Sequence, residues 1–219
     1  MMILKEFKTI KQNSICKIIE KKSQFIGQAY YVESKEEAEE IIKQTKKKYS
    51  DARHNCYAYI VLEENNLITK SNDDGEPSGT AGIPILNTIK EKELVTVLVI
   101  VTRYFGGILL GTGGLARAYS KSALEAIENV GIVEKEQGYE IKFITDYNRI
   151  EKLKYYLSKN MCNIVDVVYL EKIELIAEVN EKIKIEIEND KTKELFENIE
   201  KTSLKLLSKH SLNCVTLVP

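Results

Sequence analysis

The sequence has no tryptophan, three prolines, two histidines and no C-x-x-C pair. Its four cysteines, Cys16, Cys56, Cys162 and Cys214, are far apart, so a thiolate zinc site is not expected and reduced, packed thiols are. An excess of either charge is also missing: 32 basic residues stand against 33 acidic ones, for a net charge of −1. A dominant electrostatic nucleic-acid binder carries a basic domain, so that class is disfavoured, although a local basic patch remains allowed. The most apolar run, "ELVTVLVIVTRYF", has too few apolar residues to span a membrane. The opening "MMILKEFKTIKQ" has lysines inside it and no long apolar core, unlike a signal peptide. The expectation is a soluble cytoplasmic protein.

What is present describes a folded α+β chain. With 219 residues, 43% of them hydrophobic, the chain suffices for one large domain or two small ones. Residues 3–32 read as extended segments, with Gly27 marking a bulge or a close approach. "SKEEAEEIIKQTKKKYS" predicts a helix: Ser34 and Glu37 suit a capping box, acids fill the first turns, and lysines complement the dipole at the last. "HNCYAYIVLEENN" predicts a strand, residues 83–92 a short helix, and "LVTVLVIV" an interior strand. A helix is expected over 113–130, capped by Thr112 and ended by Gly131. After Gly138 the pattern restarts, which sets expected domains at 1–137 and 138–219. There "YEIKFITD" and "CNIVDVVYL" read as strands around a helix over "NRIEKLKYYLSKN", capped by Asp146 or Asn148. "KIELIAEV" and "KIKIEIEN" alternate with period two, which predicts a hairpin across Asn180-Glu181. "DKTKELFENIEKTSLKLL" reads as a helix and "NCVTLV" as a last strand. With the extra hairpin strand set aside, this order is the ferredoxin-like βαββαβ unit.

Five of the eleven glycines fall in "RYFGGILLGTGGLARAYS". Gly111, Gly113 and Ala116 match G-x-G-x-x-A, but "RYFGGILL" separates them from the strand that a dinucleotide turn must follow directly. A Walker A loop fails because Thr112 stands where lysine must reach the phosphates. A generic anion site at the helix start fits better, with Arg103, Arg117 and Lys121 close in sequence; the alternative is that the glycines only shape a turn. The acidic loop "SNDDGEP" lacks calcium-loop spacing and reads as a solvated turn rather than a metal site. His54 and Cys56 share a strand face, but a buried Cys beside a satisfied His is expected over a nucleophile pair.

In that order, "KKSQFIG", "DARHNCYAY", "SNDDGEPSGTAG" and "VTRYFGGILLGTGGLARAYS" resemble the YigZ/IMPACT family of small translation-linked proteins. The resemblance covers roughly residues 15–130 in the first domain. It implies a first domain folded as an α/β sandwich like the second domain of a small-subunit ribosomal protein. It implies a ferredoxin-like second domain similar to one in elongation factor G. Eukaryotic relatives modulate translation under amino-acid starvation, and the family has no established catalytic residues, so none is assigned; no metal or cofactor is expected.

The leading expectation is a non-enzymatic surface for structured RNA, a ribosomal site or a translation factor. On one side it places His54 with Asp73, Asp74, Gly75, Glu76, Pro77, Gly79 and Thr80. On the other it places Arg103, Tyr104, Phe105, Gly106, Gly107, Gly111, Gly113, Gly114, Arg117 and Lys121. Two alternatives stay open. One is an enzyme that holds a small anionic metabolite at the helix N-terminus and uses an acidic base. The other is a protein-binding module anchored by Tyr104 and Phe105.

Overall fold

In the computed structural model, residues 6–63, 66–189 and 192–208 are described. Their contacts divide the chain into one unit over Phe7–Val133 and a second that begins at Glu134.

The first unit is built on an antiparallel sheet. Strands β2 (Ser14–Glu20), β3 (Ser23–Tyr31), β4 (His54–Glu63), β5 (Asn66–Asn72) and β6 (Val97–Tyr104) lie in the order β2-β3-β6-β4-β5. The apolar run forms the central strand β6, and its residues are buried from Val97 to Arg103. The short β1 (Glu6–Ile10) is tied to this sheet's unit through the Lys8 carbonyl, which accepts from the Val95 N–H at 2.9 Å. Successive residues of a strand face opposite sides, so both faces need cover. Helix α1 (Lys35–Lys48) covers one: Ala38 and Ile42 pack with Tyr57, Tyr59, Leu98 and Ile100. Helices α2 (Gly82–Glu91) and α3 (Gly111–Glu128) cover the other, where Cys56 meets Tyr119 of α3.

Local chemistry explains the helix starts. The Glu37 N–H donates to Ser34 Oγ at 3.1 Å, and the Glu37 carboxylate reaches back to the Glu33 N–H at 2.8 Å. Gly27 makes no bulge, since β3 keeps regular register with both neighbours. It is a close approach instead: a Cβ there would lie 2.4 Å from the Ser122 carbonyl oxygen of α3. The third helix departs from expectation. It begins at Gly111, its N-cap is Leu110, and Thr112 makes no capping bond.

The second unit starts within β7 (Ile132–Thr145) at Glu134 and continues through α4 (Ile150–Lys159), β8 (Asn163–Tyr169), β9 (Ile173–Asn180), α5 (Glu181–Glu188) and β10 (Asn198–Ser208). Strand β7 pairs antiparallel with β10 and β9, and β9 with β8, which is the ferredoxin-like βαββαβ arrangement. Gly138 lies inside the continuous strand β7. Neither Asp146 nor Asn148 is the N-cap of α4; that residue is Arg149, without a side-chain bond. Asp146 Oδ1 instead shapes the turn before the helix, accepting from the Asn148 and Arg149 N–H groups at 2.8 and 3.0 Å.

Two expectations are corrected here. Residues 181–188 form a helix rather than a second hairpin strand. The Asn180 side chain accepts from the Ile183 N–H at 3.0 Å, and Ile183 and Ile187, one turn apart, enter the core with Leu153, Leu157 and Leu175. The expected helix over 190–207 is instead strand β10 over its second half, because β7 offers an edge whose backbone groups need partners. "NCVTLV" lies outside the described residues. The sheet's outer face is neutralised by pairing: Lys142 meets Glu174 and Glu200, and Lys205 meets Glu140 and Glu178.

Candidate functional site

The two loops singled out in the sequence meet in the first unit around a buried ion pair. The "SNDDGEPSGTAG" loop leaves β5 through an Asx turn, in which Asn72 Oδ1 accepts from the Asp74 N–H at 2.7 Å. Asp73 then points back at the loop. Its Oδ1 accepts from the Ala81 and Gly82 N–H groups at 2.9 and 2.8 Å, and its Oδ2 from the Gly79 N–H at 2.8 Å. It thereby caps α2, whose N-cap residue Ala81 has no side chain to do so. Burial opposes the charge on Asp73, but the three N–H bonds outweigh it and hold the carboxyl below its ordinary value. Asp74 is also engaged with the protein: Oδ2 accepts from the Asn55 N–H at 2.7 Å and Oδ1 from Lys46 Nζ at 2.5 Å.

Glu76 turns the other way. Its side chain is 3% exposed, and its Oε1 accepts from Arg103 Nη1 at 2.6 Å and from the Tyr119 hydroxyl at 2.9 Å. Arg103 sits near the end of β6, in register with Phe25 on one side and His54 on the other. Its guanidinium lies 5.4 Å from the Phe25 ring centre and 5.5 Å from that of Phe105. Arg103 Nε is buried without a partner. His54 Nδ1 lies 2.8 Å from the Asp74 carbonyl, which can only accept, so Nδ1 carries the proton in that bond. His54 Nε2 is 3.7 Å from Glu76 Oε1, beyond hydrogen-bond reach. Behind this layer, burial chiefly pushes the Cys56 thiol up to about 12, with the nearby carboxylates Glu76, Asp74 and Asp73 adding to it. Burial likewise raises the Tyr119 hydroxyl. A thiol held that far from ionising is no nucleophile near neutral pH.

The glycine loop answers its own composition. Gly106 passes against β3: its N–H donates to Ser23 Oγ at 3.2 Å, and a Cβ there would lie 2.0 Å from the Lys22 carbonyl carbon. On either side of it the chain presents Phe105, Ile108 and Leu109 to solvent, 43, 41 and 82% exposed. Helix α3 then starts without a side-chain cap, and Arg117 Nη1 lies beside Gly113.

Between the loops is a cleft of about 470 Å³. Of the residues expected at a site, His54, Gly75, Glu76, Pro77, Arg103, Phe105 and Gly111 line it. Asp73 and Asp74 are committed to backbone and Lys46. The expectation of acids on one side and cations on the other is corrected at Arg103, which is buried and bonded to Glu76. Arg117 and Lys121 are exposed on α3 and do not line the cleft. Tyr104 is tied to Asp51 by its hydroxyl at 2.9 Å. The expected site residues do not include Arg53, Leu109, Leu110, Thr112 or Leu115, which also line the cleft, nor Tyr119, whose hydroxyl reaches Glu76. Among the described residues, no group of three or more His, Cys, Asp or Glu side chains is placed to hold a metal ion, and no helix is long and apolar enough to cross a membrane.

Comparison with known proteins follows the same division. A family model described as the Impact N-terminal domain matches residues 21–127, which include both loops. A second, a domain of unknown function (DUF1949), matches residues 143–190. The IMPACT family member YvyE of Bacillus subtilis (strain 168) is 40% identical over 180 residues, 82% of this chain and 82% of its own. The chain belongs to the IMPACT family. The IMPACT family member YigZ of Escherichia coli (strain K12) is 31% identical over 150 residues, 68% of this chain and 74% of its own. A crystal structure of a hypothetical protein aligns with a TM-score of 0.64 and 26% identity, covering 94% of this chain and 98% of its own. The cleft of this IMPACT-family chain therefore belongs wholly to its Impact N-terminal domain.

Proposed function

We propose that this IMPACT-family chain is a non-catalytic, translation-linked regulator. In this reading it docks on a protein component of the translation apparatus through the lip formed by Phe105, Ile108 and Leu109. The translation link rests on the family resemblance. The docking surface rests on one observation: a loop pinned at Gly106 holds three large apolar side chains in solvent beside the cleft. Exposed apolar side chains grouped on a rigid element mark interaction sites rather than ordinary surface. A protein partner suits this surface better than bare RNA, because the lip itself is apolar and the nearby cation Arg103 is buried in the cleft wall, away from a polynucleotide backbone. Arg117 and Lys121 remain as exposed cations of α3, few for phosphate-driven affinity.

The test is co-sedimentation of the full chain with ribosomal subunits, and separately with free structured RNA, at two salt concentrations. Leu109→Asp and the pair Arg117→Ala with Lys121→Ala serve as comparison variants. Saturable binding to subunits that Leu109→Asp abolishes and the charge pair only weakens is the expected result. Binding indifferent to Leu109→Asp, no subunit binding at low salt, or binding to free RNA that vanishes with the charge pair would overturn the reading.

A further inference from the structure

The geometry points to the interior of the same cleft as a site for a small molecule that carries a phosphate or carboxylate group on an apolar body. The inference goes beyond the docking reading and does not depend on it. Helix α3 runs eighteen residues from Gly111 with no side-chain bond to its first turn and no acidic residue in that turn. Its leading N–H groups and the helix dipole favour an anion there. The neighbouring α2 shows what such a terminus takes up when a carboxylate is within reach, since Asp73 fills it. Gly111 and Thr112 line the cleft, so the first turn of α3 opens onto it.

The second observation is independent of the helix. Arg103 stands in the cleft wall, 5% exposed, with its Nε–H buried and unpartnered. A buried donor without an acceptor costs stability, and each one calls for an explanation. One hydrogen bond to Glu76 uses a single N–H of a group that has five. The charge balance agrees: Arg53 and Arg103 line the cleft against Glu76, whose Oε1 already accepts two bonds. Phe105, Leu109, Leu110 and Leu115 supply an apolar stretch of wall, with His54 among the polar residues beside it. The volume of about 470 Å³ falls within the range of small-molecule sites. A ligand with an anionic head and an apolar body matches both halves of the lining.

The test is a titration of the full chain followed by amide and arginine Nε–H resonances. The probes are inorganic phosphate, phenyl phosphate, benzoate and, as control, phenol. Saturable shifts centred on the Gly111, Thr112 and Gly113 amides and on the Arg103 Nε–H are expected. Phenyl phosphate or benzoate should bind more tightly than inorganic phosphate, and phenol should leave these signals in place. The preferred aromatic anion decides between phosphate and carboxylate. Arg53→Gln, a change at an exposed position, should weaken the aromatic anion by about tenfold. Its own spectrum reports whether it is folded. Shifts that are scattered, unsaturable or unchanged in Arg53→Gln overturn the inference. No partner is present in this experiment, so its failure leaves the docking reading standing, and the failure of co-sedimentation leaves this one standing.

Discussion

Arg103 Nη1 donates to Glu76 Oε1 at 2.6 Å across 27 residues of sequence, and both side chains are almost out of solvent. This pair joins the two loops of the cleft, and its removal has a definite cost. Breaking a buried ion pair at one end leaves an uncompensated charge, worth about 3–5 kcal/mol. Glu76→Ala and Arg103→Ala should each lower the stability of the first unit by about that much in urea unfolding. The double variant should lose less than the sum of the two, since partners in contact are not additive. Additive losses would show that the two side chains do not act as a pair.

Asp73 carries an acid dependence. Its folded carboxyl lies below the ordinary value of 3.8, so it contributes stability that is present above that value. That contribution is lost as pH falls through the lower folded value, because the unfolded chain takes up the proton first. Asp73→Ala should remove three backbone bonds and cost about 1–2 kcal/mol at neutral pH. It should also flatten the stability curve on the acid side. A variant as acid-sensitive as the parent would refute this role.

Cys56 should be silent in the folded protein. With its thiol pushed up to about 12 by burial, it should resist alkylation at pH 8 and react once the chain is unfolded. Mass spectrometry of peptides after a timed iodoacetamide pulse measures this. Labelling of Cys56 at the same rate with and without denaturant would contradict its burial.

Gly106 and Gly107 are adjacent but should respond differently. A methyl group on Gly106 meets the backbone of Lys22, and Gly106→Ala should cost about 1–3 kcal/mol through that overlap. Gly107 has open space around it and only its φ of +84° to lose, so Gly107→Ala should cost about 1–2 kcal/mol, the lesser of the two. Thermal melts of the two variants rank them, and the reverse order would remove the close-approach account.

The corrected helix α5 has its own check. Asn180→Ala removes the acceptor of the Ile183 N–H and should lower stability by about 1 kcal/mol. If residues 181–188 paired as a strand, that side chain would cap nothing and the loss would be absent.

The sequence by itself determined the elements whose signals are local. Ser34, Glu37 and the spacing of Ala38, Ile42 and Thr45 specify α1, because a cap and a buried stripe act within a few residues. The unbroken apolar run gave β6 its interior place, since a strand apolar on both sides must be covered on both. The two glycine-bearing loops were expected to form one surface because each flanks a core element of the same domain. Tertiary structure decided the rest. "EKIKIEIE" alternates like a strand, yet it is a helix because Asn180 caps it and only Ile183 and Ile187 need burial, while Ile185 can face solvent. Residues 198–208 carry no compelling period of their own and took the state that the open edge of β7 required. Arg103 reads in sequence as a cation entering a loop. Only the fold brings Glu76, Tyr119 and two phenylalanine rings around it, because burial and charge pairing arise between distant segments that no local pattern records.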